Sequence, residues 1–270
     1  MNDILNKFFV NEYSKVPIWF LRQAGRHIPE YYEIRNKAHN FIDFCLNTEL
    51  IVQSTKLPLK YYNIDAAIVF SDILMIPWAM NRKVSFIKGV GPNLQPLIPD
   101  ETEIIKNVDV FQKLKPLETS ISILRKELPQ SKSLIGFAGA PWTLACYMIE
   151  GQSSKDFLNT RKALWNSNKW FMELIDILSI YVAEKLEMQA NAGADVLMLF
   201  DSWSHMIPSN FFKECAIKQT KKIINILKSK NITKPIIGFP FKAGSSLIDY
   251  SYESNVDCIA LDWTVNLNWV

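Results

Sequence analysis

Six short stretches of continuous apolar residues recur along the chain, each separated from the next by polar or helix-forming sequence. In sequence order they are residues 18–21, 66–70, 134–138, 196–200, 236–239 and 258–261. A strand that is apolar on both faces is typical of a parallel sheet covered by helices on both sides, because neither face meets water. The pattern therefore predicts six buried strands of a parallel sheet.

The segments between these stretches show helical periodicity. One apolar stripe has steps of three and four residues, which lie on one face of a helix: Ile175, Leu178, Val182 and Leu186. A second stripe on one helical face consists of Ile223, Ile224 and Leu227. Strands that alternate with such helices define the α/β class. No linker or change in composition divides the chain, so residues 1–270 are expected to form a single domain.

Polar residues follow the predicted strands directly. They are Arg22, Ser71, Asp72, Asp201, Ser202, Lys242 and Asp262. In a (β/α)₈ barrel the carboxyl ends of all strands open onto one face, so residues far apart in sequence meet at one site. The rival doubly wound fold is disfavoured, because the glycines of Gly89-Val90-Gly91 lead into proline rather than into a helix.

The number of strands falls short of a closed barrel. Eight are required and six stretches are found, while each further βα unit needs about 30 residues or more. Two strands have therefore escaped the pattern, one of them around residues 83–88, or the barrel lacks its last two βα units.

Charge and cysteine content limit the class of partner and the compartment. Lys and Arg number 30 against 27 Asp and Glu, a net charge of +3 that is too small for a nucleic-acid-binding protein. No apolar run is long enough to span a membrane, and the amino terminus does not have the pattern of a secretory leader. The four cysteines are widely spaced and form no metal-binding motif, as expected of a cytoplasmic protein.

Two arginines flank a glycine just after the first predicted strand. Arg22 and Arg26 lie four residues apart around Gly25, so both can face one cleft. The guanidinium group binds carboxylates through two parallel hydrogen bonds, which favours a substrate with several carboxylates. The alternative is a solvated pair that contacts Glu30 and Glu33.

Asp72 leaves a predicted buried strand and needs a partner there. A ligand with N–H groups is one such partner, and capping of the following helical turn is the other reading. Ser202 has the same two interpretations, binding of a substrate carboxylate or capping of a helix near Pro208.

The segment after the third predicted strand combines small and aromatic residues. Gly136 and Gly139 allow a flat ligand to approach the backbone, while Phe137 and Tyr147 either contact that ligand or belong to the core. Trp263 and Trp269 are interpreted as packing residues. The three histidines of the chain are too scattered to define a triad or a metal site.

Four longer segments resemble the uroporphyrinogen decarboxylase family, in the family's order, between residues 17 and 264. They are PIWFLRQAGRHIPEYYEIR, DAAIVFSDILMIPWAM, GFAGAPWTLACYMIEG and CIALDWTV. The resemblance implies a homodimeric (β/α)₈ barrel that acts in haem biosynthesis. Its reaction removes the four acetate carboxylates of uroporphyrinogen III, yields coproporphyrinogen III and needs no metal or organic cofactor.

The resemblance also implies roles for individual residues. Asp72 matches the family's central aspartate, which accepts hydrogen bonds from the pyrrole N–H groups. The substrate-binding positions that the resemblance implies are Arg22, Gln23, Ala24, Gly25, Arg26, Phe137, Tyr147 and Ser202.

The carboxyl-terminal segment departs from the family pattern. Residues 263–270 match neither the family's seventh-strand block nor its eighth, which carries a substrate-binding histidine. The expectation is a C-terminally incomplete barrel, and a homodimer is expected if the barrel is complete. Two alternatives stay open at this point, an inactive shortened remnant of the enzyme and a corrinoid-dependent methyltransferase of the same superfamily. The second needs a zinc site that the spacing of His205, Cys215 and Cys258 does not supply.

Overall fold

The computed structural model describes residues 4–87, 89–99, 105, 108–166 and 169–269 of the chain. Its strands are β1 (Ala66–Ile68), β2 (Val84–Ile87), β3 (Gly91–Leu94), β4 (Ser133–Gly139), β5 (Val196–Asp201), β6 (Ile236–Pro240) and β7 (Cys258–Ile259). Its α-helices are α1 (Ile4–Phe9), α2 (Pro29–Arg35), α3 (Phe41–Leu46), α4 (Thr48–Tyr61), α5 (Met75–Ala79), α6 (Val110–Glu127), α7 (Pro141–Glu150), α8 (Leu158–Trp165), α9 (Lys169–Ala192), α10 (Lys218–Ser229) and α11 (Ser246–Glu253). Between β5 and α10 lie two 3₁₀ turns and a π-helical turn, at Ser204–Met206, Ser209–Phe211 and Lys213–Ile217.

A parallel sheet occupies the centre of the fold. Its strand order is β1-β4-β5-β6-β7, and every neighbouring pair is parallel. All residues of β4 are buried, and Phe200 is the one residue of β5 that is partly exposed. The α/β class and five of the six predicted strands are thereby confirmed. Over the residues that the structure describes, β1 and β7 are the two edges of this sheet and do not pair with each other.

The prediction of a buried strand at residues 18–21 is wrong. Ile18 and Phe20 are 57% and 45% exposed, and the segment is irregular. It nevertheless lies along the outer edge of β1, where the N–H of Asp65 donates to the Ile18 carbonyl at 2.7 Å and the Ile18 N–H donates to the Asp65 carboxylate at 2.9 Å. An apolar run alone does not distinguish a central strand from such an edge segment.

The side chain of Gln23 takes the place of a pairing strand beside β1. It is only 3% exposed, its Nε2 donates to the carbonyl of Ala66 at 2.8 Å, and its Oε1 accepts from the N–H of Ile68 at 3.1 Å. Both backbone groups lie on the edge of the sheet and would otherwise be unsatisfied. The Gln23 amide therefore holds the arginine loop onto β1 and is not free to bind a ligand.

Replacing Gln23 by leucine is expected to lower the free energy of unfolding by about 2–4 kcal/mol, because two buried backbone groups each lose a partner. Urea unfolding followed by circular dichroism measures this change. Gln112→Leu, on the exposed face of α6, provides the control and is expected to change stability by less than about 0.5 kcal/mol. Equal stabilities of the two variants would contradict the pairing role of Gln23.

The strand expected around residues 83–88 does not belong to the parallel sheet. β2 covers Val84–Ile87 and pairs antiparallel with β3 in a separate hairpin, and Lys88 lies outside the described residues. Gly89 and Gly91 have φ angles of +81° and +109°, values that favour glycine. Gly89-Val90-Gly91 is thus part of a hairpin connection, in agreement with the prediction that it is not a dinucleotide loop.

Helices α9 and α10 cover the sheet with the predicted apolar stripes. The stripe residues Ile175, Leu178, Val182, Leu186, Ile223, Ile224 and Leu227 are all buried. α9 packs against β4, β5, α7 and α10, and it ends at Gly193, whose φ of +115° turns the chain into β5. This position of α9 brings two polar side chains on its buried face, Lys185 and Gln189, beneath the carboxyl end of β4.

Candidate active site

The carboxyl ends of the parallel strands meet along one edge of the sheet, as the sequence predicts. Gly139 of β4 is level with Phe200 of β5, and Asp201 of β5 is level with Pro240 of β6. The polar residues that follow these ends, or the end of β1 or β7, are Asp72, Ser202, Lys242 and Asp262. This edge, called the carboxyl edge below, therefore collects side chains from nearly two hundred positions of sequence.

Asp72 is half-buried at the carboxyl edge, four residues beyond the end of β1. Its Oδ1 accepts a hydrogen bond from the N–H of Leu74 at 2.8 Å within the turn before α5, but the N-cap residue of α5 is Leu74, so Asp72 does not cap that helix. Burial raises the pKa of Asp72, and this effect is opposed by the Leu74 N–H and by the positive charges of Lys185 and Arg22. The carboxylate thus lies close enough to two cations to interact with them electrostatically.

Both arginines are exposed, and neither forms an ion pair with any residue that the structure describes. Neither Arg22 nor Arg26 makes an ion pair with Glu30 or Glu33, and Glu30 instead accepts a hydrogen bond from the hydroxyl of Tyr61. Arg22 acts electrostatically on Asp72, so the structure brings these two predicted residues together. Arg26 is not among the charges that act on Asp72; it influences Tyr31 on the side of α2.

Ala24 and Gly25 complete the loop between the arginines. Both are half-buried, which leaves backbone within reach of a ligand at the rim, whereas Gln23 is turned inward. Gln23 therefore anchors the loop to β1, whereas the guanidinium groups of Arg22 and Arg26 remain in solvent.

Tyr147 and Ser202 lie on neighbouring parts of the carboxyl edge. Tyr147 is half-buried on α7, its ring centroid is 6.0 Å from that of Trp203, and burial raises the pKa of its hydroxyl. Asp72 and Arg22 both act electrostatically on Tyr147, so the three side chains share one region. Ser202 is also half-buried, and it caps neither of the 3₁₀ turns that follow.

Phe137 begins a row of aromatic rings along the sheet. Its ring is 5.4 Å from that of Phe200, which is 6.1 Å from that of Phe239, and Phe239 is 5.8 Å from Phe241. These four phenylalanines, called the aromatic row, come from three adjacent strands and the loop after β6. Phe137 itself is 8% exposed, whereas the other three are partly exposed and supply apolar surface beside the edge.

The interpretation of Trp263 and Trp269 as packing residues is wrong, since both are exposed, Trp269 to 51%. The side chain of Trp263 is 79% exposed, and its ring centroid lies 5.4 Å from that of Phe241, where it extends the aromatic row outward. The ammonium group of Lys242 lies 5.2 Å from the Phe241 ring and 5.1 Å from the Trp263 ring. This cation is exposed at the rim of the site.

Lys185 is a charged residue of the site that the sequence patterns missed. It is fully buried on α9, with its Nζ 3.5 Å from the backbone oxygen of Asp72 and 5.5 Å from the centroid of the Phe137 ring. Position 185 is seven residues beyond Leu178 and three beyond Val182, and so falls on the apolar stripe of α9. A lysine on a buried stripe is the signal that identifies it.

Gln189 fixes the backbone under the same ring. Its side-chain amide accepts from the N–H of Phe137 at 2.8 Å and donates to the carbonyl of Phe137 at 2.9 Å. A Cβ at position 136 would lie 2.7 Å from the Oε1 of Gln189, so Gly136 makes room for this contact. The close contact with Gln189 thus explains why residue 136 is a glycine, which the sequence alone suggested would let a flat ligand approach the backbone.

Asp201 is a second buried carboxylate at the carboxyl edge. It is 4% exposed, and its Oδ1 accepts a hydrogen bond from the Thr143 hydroxyl at 2.6 Å. Burial raises the pKa of Asp201 to about 7, with the hydrogen bond acting in the opposite direction. Since Thr143 Oγ1 also accepts from the N–H of Trp203 at 3.1 Å, Asp201 holds the start of the loop that carries Ser202.

The raised pKa of Asp201 makes stability depend on pH. Between about pH 4, where an unfolded aspartate titrates, and pH 7, the folded chain retains a proton that the unfolded chain releases, so the free energy of unfolding falls as pH rises. This effect lowers the free energy of unfolding of the wild type by about 2–3 kcal/mol between pH 5 and pH 8, and Asp201→Asn is expected to abolish it. Urea unfolding at both pH values measures it. Asp249→Asn, at an exposed position on α11, should leave the pH dependence unchanged.

The described residues contain no group of three or more His, Cys, Asp or Glu side chains arranged to hold a metal ion. Within the same part of the chain, none of the helices has the length and apolar character needed to cross a bilayer.

Comparison with known proteins places this chain in a family. Residues 2–270 match the family model described as uroporphyrinogen decarboxylase (URO-D). Proteins named uroporphyrinogen decarboxylase from Maricaulis maris and from Wolbachia of Brugia malayi are 40% and 41% identical; the alignments cover 100% and 94% of this chain and 80% and 72% of those proteins. The one from Rickettsia conorii is 40% identical over 99% of this chain and 77% of its own length.

A solved structure supports the fold independently. A methyltransferase from Methanosarcina mazei superposes with a TM-score of 0.78 and covers 97% of this chain and 76% of its own. At 14% identity this likeness concerns the fold alone and gives no support to the methyltransferase alternative.

The parallel sheet with its covering helices and the likeness of fold define an α/β protein of the barrel type, and the relatives define it as a carboxy-lyase. The chain belongs to the uroporphyrinogen decarboxylase family. This assignment favours the decarboxylase over the inactive remnant and over the methyltransferase.

Proposed function

We propose that this chain removes the carboxylates of the four acetate side chains of uroporphyrinogen III to form coproporphyrinogen III, with Asp72 as the catalytic carboxylate. The observation that carries the proposal is the position of Asp72 at the carboxyl edge, within the electrostatic reach of Arg22 and Lys185. Family membership supplies the substrate class, a tetrapyrrole with eight carboxylates.

The reaction needs an electron sink, and the substrate provides it. Protonation of a pyrrole ring carbon converts the ring into a cation. The carbon–carbon bond to the departing carboxylate then breaks, carbon dioxide leaves, and the bond's electrons enter the ring system. A proton then adds to the exocyclic carbon, the ring carbon releases the proton that it took up in the first step, and the acetate side chain becomes a methyl group on a restored pyrrole. The net change replaces one carboxylate by one proton, without any oxidation or reduction.

Asp72 stabilises the cation that forms in this sequence. Its negative charge acts more strongly on the protonated ring than on the neutral substrate, which is the condition for an increase in rate rather than in binding alone. Its carboxylate is half-buried, so water screens the interaction less than at an exposed site. The second oxygen, which is not engaged by the Leu74 N–H, accepts from the pyrrole N–H groups in this proposal.

The remaining residues bind and orient the macrocycle. Arg22 and Arg26 hold acetate or propionate groups, and the exposure of both guanidiniums leaves their donors available. Ala24 and Gly25 contribute backbone between them, and Phe137 with the aromatic row packs against the ring system. Tyr147 donates from α7, and Ser202 donates from the loop after β5. Gln23 acts through its anchoring of the loop, since its own amide is occupied.

The domain organisation, the cellular compartment and the oligomeric state are part of the same proposal. Residues 1–270 belong to one barrel domain, the enzyme works in the cytoplasm, and it acts as a homodimer. Cys45, Cys146, Cys215 and Cys258 are all unpaired thiols, which agrees with a reducing compartment. Light scattering on the purified protein tests the dimer, and a monomeric mass at micromolar concentration would contradict it.

Turnover of the substrate tests the function directly. The purified chain is incubated anaerobically with uroporphyrinogen III, and the products are oxidised and separated by carboxylate number. We expect hepta-, hexa-, penta- and tetracarboxylate species to appear in sequence in the wild-type reaction and to be absent with Asp72→Asn. Unchanged uroporphyrinogen with the folded wild-type protein would overturn the proposal.

A further inference from the structure

A lysine buried without a direct ion pair needs a physical explanation. Lys185 is 0% exposed, and lysines are almost never fully buried unless a partner compensates for the lost hydration. Its ammonium group makes none of the ion pairs found among the described residues. Its partners are the backbone oxygen of Asp72, at 3.5 Å, and the face of the Phe137 ring.

The groups that face Asp72 and Lys185 come from three other elements. The charges of Asp72 and Lys185 interact with each other, and Arg22 of the loop before β1 also interacts electrostatically with Asp72. The charge of Asp72 further affects the pKa values of Cys45 on α3 and Tyr147 on α7. Burial raises the pKa values of Cys45 and Tyr147, so both are neutral near pH 7. Asp72 is therefore the one anion in this group, and Arg22 and Lys185 are its two cations.

The bound substrate can neutralise the charge of one of these cations but not of the other. Arg22 is exposed, and in the proposed complex it pairs with a substrate carboxylate, which neutralises most of its field at Asp72. Lys185 is out of reach of any ligand and keeps its charge during binding. Because burial disfavours the ionised form of Asp72, the loss of Arg22 as a counter-charge would otherwise protonate the carboxylate when it is needed.

We propose that Lys185 is a positioning residue for Asp72: its buried ammonium group, hydrogen-bonded to the Asp72 backbone, is the permanent counter-charge that keeps the carboxylate ionised beneath the bound tetrapyrrole. This inference rests on the proposed role of Asp72. It adds a residue that does not touch the substrate and acts through the aspartate. Desolvation also lowers the pKa of Lys185 to about 8, so the counter-charge is present at neutral pH and is lost in alkaline solution.

The test measures the ionisation of Asp72 directly in the ligand-free protein. Aspartate is labelled with ¹³C at the side-chain carboxyl, the Asp72 signal is identified from its absence in Asp72→Asn, and its chemical shift is followed against pH. In Lys185→Met, which keeps the length of the side chain without its charge, the midpoint is expected to rise by about one pH unit or more. Leu186→Met, at the next buried position of α9, is the control for altered packing and should leave the midpoint unchanged.

Kinetics supply a second readout that a structural role would not move. In Lys185→Met we expect kcat/KM near pH 7 to fall about tenfold and to recover toward the wild-type value at higher pH, with KM changed less than threefold. An unchanged midpoint for Asp72 in folded Lys185→Met would overturn the inference. A wild-type enzyme without turnover, in which the midpoint still rises on Lys185→Met, would overturn the decarboxylase proposal and leave the coupling established.

The reciprocal titration guards against a variant that does not fold. Coupling between two sites is symmetric, so removal of the Asp72 charge must lower the pKa of Lys185 by as much as the lysine lowers that of the aspartate. Lysines labelled with ¹³C at Cε are titrated in the wild type and in Asp72→Asn. A shift of the buried lysine to lower pH supports the proposal, and an identical titration in both proteins refutes it.

Discussion

Asp72→Asn is expected to lower kcat/KM for uroporphyrinogen III by about 100- to 1000-fold, the loss typical of removing one electrostatic stabiliser of a transition state. The asparagine oxygen still accepts from the Leu74 N–H, so the local turn survives. Because burial raises the pKa of Asp72, the ionised carboxylate costs folding free energy that the neutral amide does not. Steady-state assays and urea unfolding on the same preparation should show lost activity with unchanged or higher stability.

Asp65→Asn is the matched control, since it removes a carboxylate from the opposite end of the same strand. Burial alone would raise the pKa of Asp65, but hydrogen bonds from Lys15 and from the N–H of Ile18 outweigh it and lower the pKa. Here the charge supports folding, so we expect lower stability and a kcat within about threefold of the wild type. Loss of activity in both variants in proportion to their stability would remove Asp72 from its catalytic role.

The contrast between these two aspartates shows what the sequence could and could not predict. Continuous apolar runs identified five strands because a strand buried on both faces has few other solutions. The direction of a parallel strand then indicates which of its ends carries site residues, and Asp72 is predicted as a site residue on that ground. The same reasoning failed at Ile18 and Phe20, whose exposure depends on which neighbour lies outside β1, and no local pattern records that.

The site residues that escaped prediction act through tertiary contacts. Lys185 and Gln189 are separated from Asp72 and Phe137 by about 113 and 52 positions, and only the packing of α9 under the sheet joins them. Periodicity marked their positions as buried, but it does not say what a buried lysine faces. The prediction for Trp263 was wrong for the opposite reason. Tryptophan is a residue type typical of a protein core, but the position of Trp263 after the edge strand leaves its side chain in solvent.

The second large effect concerns substrate binding by the two arginines. Replacing both Arg22 and Arg26 by methionine is expected to raise KM by about 100- to 1000-fold, since each lost guanidinium leaves a substrate carboxylate without its charged partner. The single variants should separate the two residues. Arg26→Met should raise KM at all pH values alike, whereas Arg22→Met should also make kcat/KM fall more steeply at acidic pH, because Arg22 helps to lower the pKa of Asp72 in the free enzyme.

A charge-matched control distinguishes direct contacts from a general loss of attraction. Lys221→Met combined with Lys228→Met removes the same two positive charges from exposed positions of α10 and should change KM by less than about threefold at 0.15 M salt, where distant charges are screened. The dependence of KM on salt should be steep in this control and in the wild type, and shallow in the double arginine variant. A KM for the arginine variant that matches the lysine control would mean that the loop attracts the substrate only through its overall charge, and the assignment of Arg22 and Arg26 as carboxylate ligands would be wrong.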